Sequence, residues 1–329
     1  MSEPAVPGVS HEHVALEDVE LHVATAGPVD GSPVVLCHGF PELWYSWRHQ
    51  LTALGDAGYR VLAPDLRGYG GSSLPKEVSD YGSDRLTGDM VGLLNHYGYD
   101  KAVFSGHDWG SALVWELGRL HPARVHAIYN MSVPYSQPGG RPTEIFEAIF
   151  AGKFFYMLYF QPVGPAEEEL GADPRTFLRT MLYSASGEGM AHGAPGALDA
   201  PRQGTRFMDT LTPAPEHLPP WLSEEDVDVY ARAFEASGFF GPLSFYRNLD
   251  ANWERAKDVP ASVYTFPVGF LTGSLDPVNL MMPNAAATMA EVMPDFRGAT
   301  MVEGAGHWVQ QEDPATVNAA LLAFLAEVG

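Results

Sequence analysis

The stretch "FSGHDWGSAL", residues 104–113, combines an apolar strand end, a tight turn and a helix start. Its glycines, Gly106 and Gly110, stand where a G-x-S-x-G turn has them. Such a turn leads a strand sharply into a helix and holds its middle side chain clear of the backbone. Catalytic turns of this kind present a serine, but the middle residue here is Asp108. Because a helix N-terminus favours an anion, the stretch predicts a carboxylate nucleophile on a strand–turn–helix unit.

Segments on both sides of this unit alternate between strand-like and helix-like patterns. Apolar runs that end in turns occupy residues 32–40, 59–72, 101–110 and 125–134. Apolar residues recur at helical spacing between and after them, in residues 47–59, 84–99 and 111–122. Strands that alternate with helices of this length predict a mostly parallel central sheet with helices on both faces.

The alternation breaks after about residue 135. Residues 136–257 carry proline and glycine clusters and aromatic-rich helical stretches, and residues 186–204 have the composition of a loop. Strand and helix patterns then return in residues 266–277, 281–293, 296–307 and 313–328. We therefore expect a core formed by residues 1–135 and 258–329. We expect residues 136–257 to form an inserted, mostly helical lid, or cap, with an irregular loop near 186–204.

Charge and composition exclude several classes of partner. The 329 residues include 19 Lys and Arg but 41 Asp and Glu, a formal net charge of −22. So acidic a surface repels phosphate backbones, and we expect no nucleic-acid partner. No apolar run approaches the roughly 18 residues of a membrane span, and the N-terminal residues lack the pattern of a signal peptide. Together with a single cysteine, Cys37, these features predict a cytoplasmic protein without a membrane partner.

Polar residues after three predicted strands indicate a catalytic triad. Asp108, Asp276 and His307 each follow an apolar strand pattern and precede a turn or a helix. Ligands of an open parallel sheet bind beyond the carboxyl ends of the strands. The chain order of nucleophile, acid and histidine is that of the α/β-hydrolases, so we expect the α/β-hydrolase fold.

A carboxylate nucleophile suits displacement at a saturated carbon. It is ionised at neutral pH, because its reference pKa is about 3.9, and the displacement leaves an ester on Asp108. Water must then attack the carbonyl carbon of that ester, with His307 as general base and Asp276 orienting its ring. We expect the N–H groups of Phe40 and Trp109 to stabilise the oxyanion. This chemistry needs no metal or cofactor, and the sequence shows no cluster of metal ligands.

Seven motifs together resemble those of the soluble-type epoxide hydrolases of the α/β-hydrolase superfamily. They are "HGFPELWYSWRHQL", "PDLRGYGGSS", "GHDWG", "FFYMLYFQPVG", "GPLSFYRN", "LTGSLDP" and "GAGHWVQQEDP". The motifs span nearly the whole chain, and their combination is specific although each alone is not. The resemblance implies Asp108 as the nucleophile, His307 as the base and Asp276 as its acid partner.

The same resemblance selects two tyrosines. A neutral phenol can donate a hydrogen bond to a strained ring oxygen. The chain has 14 tyrosines, so composition cannot choose among them. The resemblance implies that Tyr156 and Tyr246, both in the predicted lid, hold the epoxide oxygen. Tyr156 rather than Tyr159 follows from aligning "FFYMLYFQ" with the family motif.

Two alternative functions stay open at this stage. One is a haloalkane or haloacid dehalogenase on the same scaffold. Haloalkane dehalogenases have Asn where this chain has Phe40 and lack the paired lid tyrosines, and fluoroacetate dehalogenases carry an arginine pair that the elbow "HDWGS" does not supply. The other is a catalytically idle protein that binds a hydrophobic ligand under the lid, against which the intact triad argues.

Apolar residues around these motifs predict an apolar pocket. They are Trp44, Phe155, Phe160, Met181, Phe239, Phe240 and Trp308. The expected partners are therefore small apolar epoxides, with water as the second reactant. The sequence is compatible with a homodimer.

Overall fold

The computed structural model describes residues 4–193 and 199–329. Its described residues form one eight-stranded sheet in the order β1-β2-β4-β3-β5-β6-β7-β8. The strands are β1 (Val9–Ala15), β2 (Glu20–Ala26), β3 (Pro33–Cys37), β4 (Arg60–Pro64), β5 (Ala102–Gly106), β6 (Val125–Met131), β7 (Val268–Gly273) and β8 (Phe296–Val302). From β4 to β8 every neighbouring pair is parallel. The predicted mostly parallel sheet is confirmed.

Helices connect the strands and cover the sheet. They are α1 (Arg48–Asp56), α2 (Ser83–Tyr97), α3 (Trp109–Leu120), α4 (Pro142–Ile149), α5 (Tyr156–Tyr159), α6 (Pro165–Ala172), α7 (Pro174–Ser184), α8 (Gly187–Ala191), α9 (Glu224–Ser237), α10 (Phe240–Arg247), α11 (Leu249–Ala256), α12 (Pro277–Met281), α13 (Ala285–Val292), α14 (Val309–Glu312) and α15 (Pro314–Val328). Short 3-10 helices occupy Trp44–Trp47, Val78–Tyr81, Pro122–Arg124, Met208–Thr210 and Ala261–Val263. None of the helices in the described ranges is long and apolar enough to cross a membrane.

Register brings distant turns to one edge of the sheet. Cys37 at the end of β3 lies opposite Gly106 at the end of β5. Gly273 at the end of β7 lies opposite Val302 at the end of β8. Strands β5 and β7 are buried along their whole length, as expected for apolar strands covered on both faces. The turns that follow these strands therefore begin side by side.

The sequence did not predict the N-terminal hairpin. β1 pairs with β2 in antiparallel register, with His13 opposite His22, and β2 pairs with β4 in the same sense. Most residues of β1 are half-buried or exposed, so its pattern resembles that of a polar loop. Pairing with β2, rather than burial of an apolar face, places this segment in the sheet.

Helices α4 to α11 all lie between β6 and β7, within the predicted lid; residues 136–257 are called the helical insertion below. The loop predicted over residues 186–204 is wrong at its start, because Gly187–Ala191 is helical. Ser186 caps this short helix by accepting the Gly189 N–H at 3.1 Å, and the glycine-rich sequence conceals it. Residues 194–198 of the predicted loop lie outside the described residues.

Candidate active site

Asp108 lies in a tight turn between β5 and α3, as the sequence predicted. Its backbone has φ 53° and ψ −120°, a conformation that non-glycine residues rarely adopt. The neighbouring glycines permit this turn. A β-carbon on Gly106 would lie 2.2 Å from the Gly110 carbonyl oxygen, and one on Gly110 would lie 1.9 Å from that of Cys37. The strained turn holds the Asp108 side chain at the edge of the sheet.

The turn after β3 contacts this carboxylate directly. The Phe40 N–H donates to Asp108 Oδ1 at 2.8 Å. A β-carbon on Gly39 would lie 2.4 Å from Asp108 Cβ, so only glycine fits there. The Phe40–Pro41 bond is cis. Phe40 is thus placed as a backbone donor, while the Trp109 N–H as a second donor stays a prediction.

The three residues of the predicted triad come together. His307 Nε2 lies 3.4 Å from Asp108 Oδ2, and its Nδ1 lies 3.1 Å from Asp276 Oδ1. Asp276 is fully buried, whereas the Asp108 side chain keeps 17% exposure. Asp276 also accepts the Val278 N–H at 2.8 Å, which fixes the carboxylate at the start of α12. One carboxylate therefore keeps some exposure, and the other is buried against the ring of His307.

The surroundings of His307 favour its protonated form. Burial lowers the pKa of His307, but the charges of Asp276 and Asp108 and a hydrogen bond with each of them outweigh burial. Its pKa therefore lies well above the usual range. An imidazolium between two carboxylates is the resting state that follows near neutral pH.

Tyr156 and Tyr246 face each other across the site from two different helices. Their ring centroids are 5.9 Å apart, and the Tyr246 ring lies edge-on to Trp109 at 4.8 Å. Tyr156 begins α5, while Tyr246 lies in the last turn of α10. By contrast, the hydroxyl of Tyr159 donates to Glu169 at 2.6 Å. The structure therefore pairs the two tyrosines that the resemblance selects.

Both phenols stay protonated far into the alkaline range. Burial raises the pKa of Tyr156 and of Tyr246, and the charge of Asp108 raises both further. The Tyr246 ring also lies 5.7 Å from the ring of Phe40, the residue whose N–H donates to Asp108. The arrangement provides two neutral donors opposite one anion.

A buried pair of side chains that the sequence did not predict, Glu42 and His107, supports the turn of Asp108. His107 Nδ1 lies 2.6 Å from Glu42 Oε2, and His107 Nε2 lies 2.6 Å from the His307 carbonyl oxygen. Both ring nitrogens of His107 therefore face oxygen atoms that can accept a hydrogen bond. Burial raises the pKa of Glu42, but the charge and hydrogen bond of His107 lower it more, to about 2. Neither side chain of the pair is exposed to solvent.

Glu42 also connects the pair to both neighbouring loops. It accepts the Gly39 N–H at 3.1 Å and the side-chain amides of Gln310 at 2.9 Å and Gln311 at 3.1 Å. The available sequence signal was a charged residue directly after "HGFP" and a histidine directly before Asp108. The two are 65 residues apart, so no local pattern joins them.

Within the described residues, three of the seven predicted pocket residues have ring contacts with Tyr156, Tyr246 or His307. Phe160 lies 5.1 Å from Tyr246, Phe155 lies 5.1 Å from Tyr156, and Trp308 lies 4.8 Å from His307. The other four lie against different neighbours. Trp44 contacts His11 and His22, and Phe239 contacts Phe234 and Phe177. Phe240 contacts Tyr81, and Met181 is half-buried in α7. The rings nearest the triad make the site apolar.

Comparisons with known proteins agree with this geometry. A family model described as the alpha/beta hydrolase fold matches residues 32–179. Epoxide hydrolase A of Mycobacterium tuberculosis is 45% identical over 309 residues, covering 93% of this chain and 94% of that protein.

The solved structures that superpose on this chain also include epoxide hydrolases. The crystal structure of Epoxide Hydrolase A from Mycobacterium thermoresistibile superposes with a TM-score of 0.89 at 44% identity, covering 97% of this chain and 98% of that chain. An epoxide hydrolase from an endophytic Streptomyces has a TM-score of 0.91 at 37% identity, covering 97% and 96%. The chain has the α/β-hydrolase fold and belongs to the epoxide hydrolase family.

Proposed function

We propose that this protein hydrolyses epoxides to vicinal diols through an ester formed on Asp108. The observation that carries the proposal is the setting of this one carboxylate. Oδ1 accepts the Phe40 N–H at 2.8 Å, and Oδ2 lies 3.4 Å from His307 Nε2. The ring of Tyr246, which is paired with Tyr156, lies against Phe40 and Trp109 on either side of this carboxylate. The relatives described above are named epoxide hydrolases, which supports the same reaction here.

Ring opening is the first step. An oxygen of Asp108 attacks a ring carbon, and the carbon–oxygen bond breaks with its electron pair moving to the epoxide oxygen. Tyr156 and Tyr246 hold this oxygen by hydrogen bonds, and one of them gives it a proton. Their raised pKa values keep both phenols protonated beforehand. The step leaves a hydroxyalkyl ester on Asp108 and one phenolate.

Ester formation prepares His307 for the second step. The charge and hydrogen bond of Asp108 both raise the pKa of His307 in the free enzyme. Once Asp108 is an ester these contributions disappear, so the pKa falls and the phenolate takes the ring proton. Neutral His307, held by Asp276, is then a general base.

Hydrolysis completes the cycle. His307 takes a proton from a water molecule, and the oxygen of that water attacks Cγ of the Asp108 ester. The N–H groups of Phe40 and Trp109 stabilise the oxyanion. The intermediate collapses, the departing alkoxide takes the remaining proton of the attacking water, and Asp108 and protonated His307 are restored.

The helical insertion is the cap of the site in this proposal. It supplies both phenols, whereas residues 1–135 and 258–329 form the core that carries the triad. Apolar rings such as Phe155, Phe160 and Trp308 favour small apolar epoxides and limit the access of water. No proposed step uses a metal or a cofactor.

A single turnover of styrene oxide in heavy-oxygen water, with enzyme in excess, tests the mechanism. We expect the heavy atom in the side chain of Asp108 and not in the first diol released. Direct attack by water would instead label the diol. Incubation with 1-bromobutane in parallel separates the dehalogenase alternative, for which bromide release is the diagnostic product.

A further inference from the structure

The backbone of His307 is held from the helical insertion as well as from the core. Its N–H donates to the Ala185 carbonyl oxygen, between α7 and α8, at 2.8 Å. Its carbonyl oxygen accepts hydrogen bonds from Ser132 Oγ at 2.9 Å and from His107 Nε2 at 2.6 Å. Ser132 and His107 follow strands β6 and β5. The base therefore lies on a seam between the two parts of the protein.

The carboxylate of Glu312 accepts hydrogen bonds from the backbone N–H groups on both sides of His307. Oε2 accepts the Gly306 N–H at 3.0 Å, and Oε1 accepts the Trp308 N–H at 3.0 Å. The same Oε2 accepts the N–H of Gly187, the first residue of α8, at 2.8 Å. One side chain thus joins the loop that carries the base to the helical insertion.

The two joined segments touch through their backbones. A β-carbon on Gly187 would lie 1.9 Å from the Gly304 carbonyl oxygen. One on Gly306 would lie 2.3 Å from the Gly187 nitrogen. Because glycines allow this approach, the N–H groups of both segments reach the same carboxylate. A shift of α8 would therefore be passed to the loop of His307.

The chemistry of the contact requires a carboxylate. Three N–H donors converge on Glu312, and an ionised carboxylate is an acceptor at both oxygens. An amide of the same shape keeps one acceptor and turns an NH2 group toward N–H donors. A buried N–H group that loses its acceptor lowers the stability of the fold. The loop of His307 and the start of α8 would therefore separate or rearrange.

We propose that Glu312 is a positioning residue that fixes His307 for ester hydrolysis by clamping the helical insertion to the loop of the base. The clamp comprises Glu312 and the N–H groups of Gly187, Gly306 and Trp308. This inference rests on the proposed function, since it needs a step in which His307 acts after ring opening. Ring opening depends on Asp108 and the two phenols, which other contacts hold. Loss of the clamp therefore slows the second step selectively.

Single-turnover kinetics of Glu312→Gln test the clamp. The full-length enzyme, in excess, is mixed with styrene oxide, and the reaction is quenched at intervals. Mass spectrometry then gives the fraction of enzyme that carries the ester. We expect the ester to form at close to the wild-type rate and to decay roughly 10- to 100-fold more slowly, since a 1 Å misplacement can cost about 10²-fold.

Asp313→Asn is the matched control. It removes the neighbouring carboxylate, which caps α15 by accepting the Thr316 N–H at 3.0 Å and is not part of the clamp. Both rates should stay close to wild type in this variant. Hydrogen exchange adds a second readout, because Glu312→Gln should speed exchange at the N–H groups of Gly187 and Trp308 together.

Three outcomes would overturn the proposal. Ester decay at the wild-type rate in Glu312→Gln would show that the clamp does not position the base. An equal loss in both steps would reveal a merely structural role. If no ester forms in wild type or in His307→Gln, the clamp proposal fails together with the proposed function. Should Glu312→Gln not fold, Gly187→Ala replaces it with the same expectation, because it displaces α8 and keeps the carboxylate.

Discussion

The hydroxyl of Tyr159 donates to the carboxylate of Glu169 at 2.6 Å. This hydrogen bond directs the Tyr159 side chain toward the interior of the helical insertion. Glu169 is buried and also accepts the Phe207 N–H at 3.2 Å. Tyr156, on the same short helix, lies against Tyr246 instead. Two tyrosines three residues apart therefore have different partners, and one serves as a control for the other.

Replacement of the paired phenols tests their part in ring opening. We expect Tyr156→Phe and Tyr246→Phe each to slow ester formation, because one donor to the epoxide oxygen is lost. The double variant should lose most of the general-acid assistance, typically about 10²–10⁴-fold. Ester formation in single turnovers is the measurement. Tyr159→Phe should form the ester at close to the wild-type rate, and a double variant that does the same would contradict the pairing.

Loss of the base should trap the intermediate. In His307→Gln the carboxylate of Asp108 is intact, so the ring still opens, but no group takes a proton from the attacking water. We expect intact-protein mass spectrometry to show the enzyme heavier by one substrate. Asp108→Ala is the control, in which neither the heavier species nor diol should appear. Rapid diol formation by His307→Gln would argue against the two-step route.

The pH dependence of ester decay should differ from the titration of His307 in the free enzyme. The raised pKa means that the ion pairs of His307 stabilise the fold below about pH 6.5, its unfolded pKa. This stabilisation is lost as the pH rises through the higher folded value. In the ester the charge of Asp108 is gone, so the pKa is lower.

Two measurements check this difference. NMR titration of the free enzyme gives the pKa of His307, and quenched-flow decay of the ester across pH gives the pKa that limits hydrolysis. We expect the acid limb of decay at a lower pH than the NMR midpoint. Coincidence of the two would show that alkylation of Asp108 does not act on His307.

The buried pair of Glu42 and His107, next to the turn of Asp108, should contribute to the stability of the fold. Glu42→Gln removes the carboxylate that faces His107, and breaking a buried pair typically costs about 3–5 kcal/mol in the free energy of unfolding. Urea unfolding measures this cost as a lower midpoint. Glu224→Gln removes an exposed partner of Arg175 and Arg179 and should cost less than about 1 kcal/mol. Equal costs would show that burial does not strengthen the contact between Glu42 and His107.

The sequence predicted what local patterns determine. β5 and the turn at Asp108 were predictable, because a short buried strand, two glycines and a helix start leave few alternatives. Asp276 and His307 followed from strand ends and chain order. The two tyrosines were not predictable from composition, and the resemblance alone selected them.

The remaining features depend on contacts between distant segments. β1, "VSHEHVA", has no continuous apolar face, and its strand conformation depends on β2. Glu42 pairs with His107, which is 65 positions away, and Glu312 accepts a hydrogen bond from the Gly187 N–H, 125 positions away. A one-dimensional pattern contains no information on which polar groups meet once the sheet has closed.

Neighbouring strands β6 and β7 are also far apart in the chain, since about 140 residues separate Ile128 from its partner Val268. On the ribosome the free edge of β6 emerges first, and the whole helical insertion follows before β7. At about 5–20 residues per second, this edge waits roughly 7–28 s for its partner. Until then β6 has no partner on this side, and an unpaired strand edge is a general site of unwanted pairing with other chains. Translation of the last two strands closes that edge and delivers His307 to Asp108.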